Sequence, residues 1–324
     1  MAGRRRTRWI HTRVRDTDPL TPEVRRIVLD PGDLGPIVPP PGSHIDVTVH
    51  IDGRPETRSY TLVDDGRDRG MLAVAVRLDP DSRGGSRYMH GLRPGDALTV
   101  SEPLRGFDLL PGRERYLLVA GGIGITPIIG MARTLRGSGA DYRVVYAGRS
   151  RERMPFLDAL LADHPDRVTC AVSEEGGRLD LAELARAEPE GTEAYVCGPM
   201  RMVDELRRHW RDAGRPAAAL RHETFGGVGH HPSETFTVEI PRLSISTDVP
   251  RTSSLLDALR AAGADMMFDC LRGECGLCEV KVLSSTGPVD HRDVFLSDRQ
   301  KADGGTLCTC VSRAVGGHLS IDVP

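Results

Sequence analysis

Tyr116-Leu117-Leu118-Val119-Ala120 runs without interruption into Gly121-Gly122-Ile123-Gly124-Ile125-Thr126-Pro127. The first five residues are an apolar run of strand length, and the segment as a whole has the order strand, glycine loop, helix. Thr126 can cap that helix, and Pro127 suits its first turn, where a missing N–H costs nothing. The helix dipole then faces an anion such as pyrophosphate, and Gly121, Gly122 and Gly124 let phosphates come close to the backbone. Glycine turns are common, so the context matters. Residues 143–146, 168–172 and 193–197 read as further buried strands, alternating with helical stretches at 156–162, 179–187 and 200–213. That alternation predicts an α/β doubly wound domain over residues 112–225. Cys170, mid-strand, reads as core.

At roughly 100 to 200 residues per domain, 324 residues are too many for one domain. Hydrophobic residues make up 39% and charged residues 27%, the balance of an ordinary soluble protein. A net charge of -3 gives nucleic acid no reason to bind. The arginine-rich start, residues 1–15, has no apolar segment behind it, so it reads as a solvated, frayed end and not as a secretion signal. This predicts a cytoplasmic protein. The longest apolar stretch, residues 116–132, is broken by four glycines and a proline, and it is shorter than the ~20 residues of a membrane span. No membrane association is expected.

Residues 1–111 show short alternating strands, at 24–29, 45–51, 58–63 and 72–76, separated by Pro and Gly clusters. An antiparallel β-barrel is predicted. Within it, Arg58-Ser59-Tyr60-Thr61-Leu62 resembles the Arg-x-Tyr-Ser/Thr flavin motif of the ferredoxin reductase superfamily. An arginine can hold a phosphate while a tyrosine on the same strand stacks on the isoalloxazine ring. Arg83-Gly84-Gly85-Ser86 precedes a short helical stretch, so loop N–H groups, the Ser86 hydroxyl and Arg83 can surround one phosphate. A single phosphate favours FMN over FAD.

Five of the seven cysteines fall in the last 55 residues. Cys270, Cys275 and Cys278 have the spacing C-x4-C-x2-C of a plant-type 2Fe-2S site, and Cys308 and Cys310 lie further on. Gly273 and Gly276 suit a loop that must aim N–H groups at sulfur. A structural zinc site, which usually takes two C-x2-C pairs, is the competing reading. Spacing alone leaves the fourth ligand open between Cys308 and Cys310. Residues 235–240 and 243–247 read as a hairpin, residues 255–262 as a helix capped by Ser253 or Ser254, and residues 319–323 as a closing strand. Residues 234–324 carry 13 acidic and 9 basic side chains, a surplus suited to docking on a basic face.

Asp290-His291-Arg292-Asp293 and Thr309-Cys310-Val311-Ser312-Arg313 give this segment its resemblance to the ferredoxin domain of the phthalate dioxygenase reductase family, which includes vanillate O-demethylase reductases. The resemblance selects Cys310, directly before Val-Ser-Arg, as fourth ligand, although the spacing from Cys278 is longer than the family's. It implies an α+β β-grasp fold for residues 234–324; residues 226–233, glycine-rich and without periodicity, read as the linker to it. It likens Cys197-Gly198-Pro199 to the turn beside the nicotinamide ring, and Glu223-Thr224-Phe225 to the aromatic segment that packs near the flavin.

The implied enzyme is an NAD(P)H-dependent oxidoreductase that passes electrons through FMN and a 2Fe-2S cluster, one at a time, to a separate oxygenase, Rieske-type or haem monooxygenase. Tyr60, Cys197 and Phe225 are then nearest the chemistry. NADH is the expected donor, with NADPH possible through Arg149, because no acid stands at residues 147–151 where a ribose partner belongs. The alternatives are a FAD-containing ferric or flavin reductase with an auxiliary cluster, and a non-enzymatic zinc-bearing redox sensor or scaffold. A chain holding all its redox modules is expected to be a monomer.

Overall fold

The computed structural model describes residues 7–51, 53–80, 84–225 and 231–323. Arg83 and the glycine stretch of the linker, residues 226–230, lie outside them. The chain divides into two compact units, Met1–Glu223 and Thr224–Pro324.

The first unit opens with β1 (Trp9–Thr21), β2 (Val24–Leu29), β3 (His44–Ile51), β4 (Arg54–Thr61), β5 (Leu72–Arg77), the short α1 (Gly85–Gly91) and β6 (Ala97–Ser101). The strands form one antiparallel sheet in the order β4-β3-β6-β1-β2-β5. A bridge between Leu62 and Val74 joins its two ends, so the sheet closes as a barrel. The presence of β1 corrects the reading of residues 9–15 as part of a frayed end; residues 1–6 lie outside the described residues. Ile10, Thr12 and Val14 point inward while Trp9, His11, Arg13 and Arg15 point out. That is a strand's period of two, hidden in the sequence by arginines on its solvent face.

There follow β7 (Arg115–Gly121), α2 (Ile125–Ser138), β8 (Asp141–Gly148), α3 (Leu157–Asp163), β9 (Val168–Val172), α4 (Leu181–Ala187), β10 (Thr192–Cys197), α5 (Met200–Asp212) and β11 (Leu220–Glu223). All five strands are parallel in the order β11-β10-β7-β8-β9. The order reverses between β7 and β10, which makes the carboxyl ends of those two strands the switch point where such sheets bind ligands. Residues 117–120 are wholly buried, so β7 shows no alternation, as a strand covered on both faces should. Cys170 is only half-buried, because β9 is an edge strand. Barrel and α/β layer share one core, in which Val24, Val63, Ala75 and Phe107 pack with Tyr116, Ile128 and Tyr195. The Tyr195 hydroxyl accepts the Leu110 N–H at 2.7 Å.

The second unit holds β12 (Phe236–Ile240), β13 (Ile245–Val249), α6 (Leu255–Ala261), β14 (Glu279–Ser285), β15 (Val289–Asp290), α7 (Asp298–Asp303), β16 (Thr306–Cys308), β17 (Arg313–Ala314) and β18 (His318–Asp322). Five strands order as β13-β12-β18-β14-β16, with β12 parallel to β18, and α6 packs on this sheet in a β-grasp. Ser254 caps α6 by accepting the Asp257 N–H at 3.0 Å. The hairpin turn consumes residues 241–244, with Ser244 at φ 53°, so β13 starts two residues later than its apolar pattern suggests.

Candidate functional site

At the switch point, the glycine loop after β7 and the Cys-Gly-Pro turn after β10 lie backbone against backbone. A Cβ on Gly124 would overlap the Cys197 carbonyl, and one on Gly121 would sit 2.7 Å from the Pro199 ring. A Cβ on Gly198 would overlap the end of Met202, a residue of α5 that closes both turns and that carries no motif to announce it. Gly122 differs. It has φ 55° and nothing within 4 Å of its Cβ position, so its backbone borders open space where a phosphate can approach. Thr126 does not cap α2. The helix starts two residues earlier with Gly124 as N-cap, because a 3-10 turn over Gly122–Gly124 precedes it, and the Thr126 hydroxyl donates to the Ile123 carbonyl at 3.1 Å. Pro127 lies in the first turn, as its lost N–H allows. The Cys197 side chain is fully buried in the shared core, so it is the turn, not the thiol, that meets the loop.

Arg149 lies just past β8 and pairs with Glu174 at 2.8 Å, while Arg151 pairs with Glu175 at 2.9 Å. Both glutamates come from the turn after β9. Phe225 leaves β11 two residues beyond Glu223, which pairs in register with Cys197. It is 37% exposed.

In the barrel, Arg58 and Tyr60 lie on one face of β4 and Ser59 and Thr61 on the other. A Cβ on Gly85 would sit 3.0 Å from the Arg58 side chain, so the structure brings the arginine beside the Gly84-Gly85-Ser86 loop that opens α1. Gly84 has φ 98° and faces Ile51. The Ser86 hydroxyl accepts the Asp79 N–H at 3.2 Å, which holds this loop to the end of β5. Arg58 also pairs with Glu56 at 2.5 Å. Burial pushes the Tyr60 phenol up to about 12, against the opposing pull of Arg58, so the ring stays neutral and flat-faced for stacking. Ser59 donates to Asp46 at 2.5 Å and turns its side chain away from Arg58 and Tyr60; Thr61 is buried. A cavity of about 410 Å³ lined by Arg87, Tyr88, Gly91, Leu92, Asp96 and Ala97 includes none of these residues.

In the second unit, the N–H groups of Arg272, Glu274 and Cys275 all point at the Cys270 sulfur, at 3.4 Å each. Three left-handed residues, Leu271, Gly273 and Gly276, at φ 54°, 75° and 75°, turn them inward. Among the described residues no group of three or more ligating side chains closes on a single ion. The thiols associate as one pair and one group of three. Cys275 shares a hydrogen bond with Cys270. Hydrogen bonds from Cys308 and Cys310 pull the Cys278 thiol down, against burial. Cys310 also takes the Gly273 N–H and lies within electrostatic reach of Cys270, whereas Cys308 feels Cys278, Cys310 and the carboxylate of Asp293. One thiol pair with three N–H donors on Cys270, and a second group of three thiols, fit a two-iron cluster.

Behind the loop lies a buried polar network. The Ser312 hydroxyl accepts the Arg292 N–H at 3.1 Å and donates to Asp293 at 3.1 Å; Arg292 pairs with Asp290 at 2.7 Å. Arg292 also donates to the His231 carbonyl and to Ser233, so the described end of the linker is anchored. Arg313 donates to the carbonyls of Glu234 and Pro250, at 3.0 Å each. The Asp290–Asp293 and Thr309–Arg313 motifs thus act here as scaffold. His291 is buried, with Nδ1 3.7 Å from Asp293.

Comparison with known proteins places the same three modules in the same order. The oxidoreductase FAD-binding domain family matches residues 13–108, the oxidoreductase NAD-binding domain family residues 118–208, and the 2Fe-2S iron-sulfur cluster binding domain family residues 238–315. The vanillate O-demethylase oxidoreductase of Pseudomonas sp. (strain HR199 / DSM 7063) is 35% identical over 297 residues, 89% of this chain and 92% of the relative. The solved structure of phthalate dioxygenase reductase superposes with a TM-score of 0.74 at 30% identity, covering 97% of this chain and 98% of that one. An intact type IV self-sufficient cytochrome P450 monooxygenase matches at 38% identity with a TM-score of 0.66 over 97% of this chain, which spans only 41% of that longer protein. The match over the last 2Fe-2S segment sets the zinc reading aside. With flavin, NAD and 2Fe-2S modules on one chain, this oxidoreductase belongs to the phthalate dioxygenase reductase family.

Proposed function

We propose that this chain takes electrons from NADH, passes them through FMN to a 2Fe-2S cluster held by Cys270, Cys275, Cys278 and Cys310, and delivers them singly to a separate oxygenase. The observation that carries this reading is the two-sided site of the first unit. The Gly121–Gly124 loop and the Cys197-Gly198-Pro199 turn meet at the switch point, and a shared core ties that sheet to the barrel bearing Arg58 and Tyr60. When bound, the flavin accepts a hydride from the nicotinamide and the cluster relays the pair as single electrons. The chain's own work is positional. Gly122 opens the backbone to the pyrophosphate, the Cys197 turn shapes the nicotinamide seat, and Tyr60 offers a neutral ring face to the flavin. Arg58 and the loop at residues 84–86 hold one phosphate, which supports FMN over FAD. The donors around Cys270 stabilise negative charge on sulfur and so set the cluster's potential.

Cys310 is favoured over Cys308 because Cys308 is pinned in β16, opposite Glu279, whereas Cys310 stands beyond the strand facing Gly273. For the acceptor, a Rieske-type oxygenase is the first reading, on the likeness to the vanillate and phthalate system reductases. A haem monooxygenase is the second, favoured by the 38% identity to the self-sufficient cytochrome P450 monooxygenase. Among the described residues no helix is long and apolar enough to cross a membrane; a cytoplasmic monomer is part of the proposal.

An anaerobic absorption spectrum before and after one equivalent of NADH tests the reading. Flavin and iron-sulfur bands that bleach together are expected, and acid should release FMN. A colourless protein that reconstitutes with neither flavin nor iron overturns it; released FAD overturns the flavin assignment alone.

A further inference from the structure

Cys308 is the one cysteine of the cluster segment that a four-ligand set leaves over. It is fully buried in the core of the second unit together with Cys278 and Cys310, which are 3% and 4% exposed. Backbone geometry fixes it there. β14 and β16 pair with Glu279 opposite Cys308, and one step beyond that ladder the Thr309 N–H and hydroxyl both donate to the Cys278 carbonyl at 3.0 Å. The Cys308 carbonyl accepts the Ser312 N–H at 2.9 Å, so the turn that carries Cys310 closes onto the same residue. Within this frame the Cys278 sulfur accepts hydrogen bonds from the Cys308 and Cys310 side chains. The sulfurs of Cys270 and Cys278 therefore differ in their donors. Cys270 is served by three backbone N–H groups, which no side-chain change removes, whereas Cys278 draws on a side chain outside the ligand set.

We propose that Cys308 is a positioning residue for electron transfer, whose S–H donates to the Cys278 sulfur and holds the 2Fe-2S centre at a higher reduction potential than the four ligands alone would give. The inference rests on the assignment of Cys278 and Cys310 as ligands. A ligating cysteine gives up its proton, so once Cys310 binds iron, Cys308 is the thiol that still has one to donate. The hydrogen bond to Cys278, burial, the Asp293 carboxylate and the neighbouring thiols all keep that proton on Cys308. Reduction adds one electron, and part of its charge falls on the cysteine sulfurs. A donor aimed at sulfur stabilises the reduced state more than the oxidised one, which raises the potential. S–H is a weak donor. Here both sulfurs are shut off from solvent, so water does not compete for the Cys278 acceptor.

The test is a redox titration of the full-length protein, followed by electron paramagnetic resonance of the cluster, in wild type, Cys308→Ala, Cys308→Val and Cys308→Ser. Visible absorbance checks that each holds flavin and cluster. Alanine removes the donor and some volume, valine removes the donor while keeping the site filled, and serine keeps a donor. In Cys308→Ala and Cys308→Val the reduced-to-oxidised ratio of the cluster at a fixed potential should fall about three- to tenfold, a midpoint lower by about 28–59 mV at 59 mV per tenfold for one electron. Cys308→Ser should stay near wild type, and the flavin midpoint should move in none of them. A retained cluster with an unchanged midpoint in both donorless variants overturns the inference. So does a fall in Cys308→Ala alone, which is a packing effect, or a fall in Cys308→Ser as large as in the other two. Loss of the cluster from Cys308→Ala and Cys308→Val overturns it as well, and its retention in Cys310→Ser would then show that the ligand assignment has failed. Should wild type carry no 2Fe-2S signal, the electron-transfer reading fails and takes the inference with it.

Discussion

Glycine serves the nucleotide turn and the cluster loop for different physical reasons. At Gly121, Gly124 and Gly198 the need is space, because two turns from neighbouring parallel strands touch and a Cβ would strike the Cys197 carbonyl, the Pro199 ring or Met202. None of these three is at positive φ. At Gly273 and Gly276 the need is first conformational, with φ at 75° in both, so that successive N–H groups face inward toward sulfur. Space comes second there: a Cβ on Gly273 would lie 2.8 Å from the Asp293 Cα, and one on Gly276 would meet the Phe295 ring. The first pattern leaves the Gly122 backbone open to space that a substrate can approach. The second turns successive N–H groups onto the Cys270 sulfur.

If that contrast is right, each loop should fail in its own way. The largest effect belongs to the cluster. Cys310→Ser should abolish the 2Fe-2S absorption and electron paramagnetic resonance signal while flavin reduction by NADH persists, and Cys308→Ser should keep the cluster; the reverse outcome would exchange their roles. Next, Gly124→Ala should slow NADH-dependent flavin reduction by about a hundredfold in stopped flow, since it displaces the Cys197 turn, and leave the cluster spectrum unchanged. A smaller loss is expected behind the cluster loop, where Asp293→Asn should cost about 1–3 kcal/mol in the denaturant unfolding of the ferredoxin unit. Burial alone would raise the Asp293 carboxyl. Hydrogen bonds from His291, the Leu296 N–H and Ser312, with Lys301 nearby, outweigh burial and hold it below its ordinary value. Its stabilising contribution is therefore complete above the ordinary carboxylate range and is lost as pH falls through the depressed value; Asp293→Asn should remove that part of the acid dependence. The smallest effect is Gly276→Ala, worth about 1–2 kcal/mol for the left-handed backbone. Phe295 is 45% exposed and its ring can move, so Phe295→Ala should recover only the steric share. Recovery of the whole loss would mean that space, and not conformation, is what Gly276 provides.

Legibility in the sequence depends on how local each signal is. The strand and glycine loop at residues 116–127 and the cysteine spacing at 270–278 are contiguous, and their readings need no partner from elsewhere in the chain. β1 is hidden because Arg13 and Arg15 stand among its outward residues, and an alternating strand with Ile10, Thr12 and Val14 as its inward set looks like a charged tail. The cap expected at Thr126 falls instead at Gly124, since nothing in the local sequence announces the 3-10 turn at Gly122–Gly124. Met202, Glu174 and Glu175 carry no local signal because each reaches its neighbours from a separate strand, turn or helix.

By itself the sequence determined the three modules, their order and the residue types able to hold flavin, nucleotide and cluster, because each is written in a short run whose spacing is imposed by backbone geometry. Only the tertiary structure decided that Arg58 lies against the loop at Gly85, that Gly124 faces the Cys197 carbonyl, that Cys310 meets Gly273, and that the acids beside Arg149 and Arg151 come from the next strand's turn. The physical reason is sequence separation. Parallel strands joined by helices bring together chain segments that are far apart in sequence, and no local periodicity records which ends will meet.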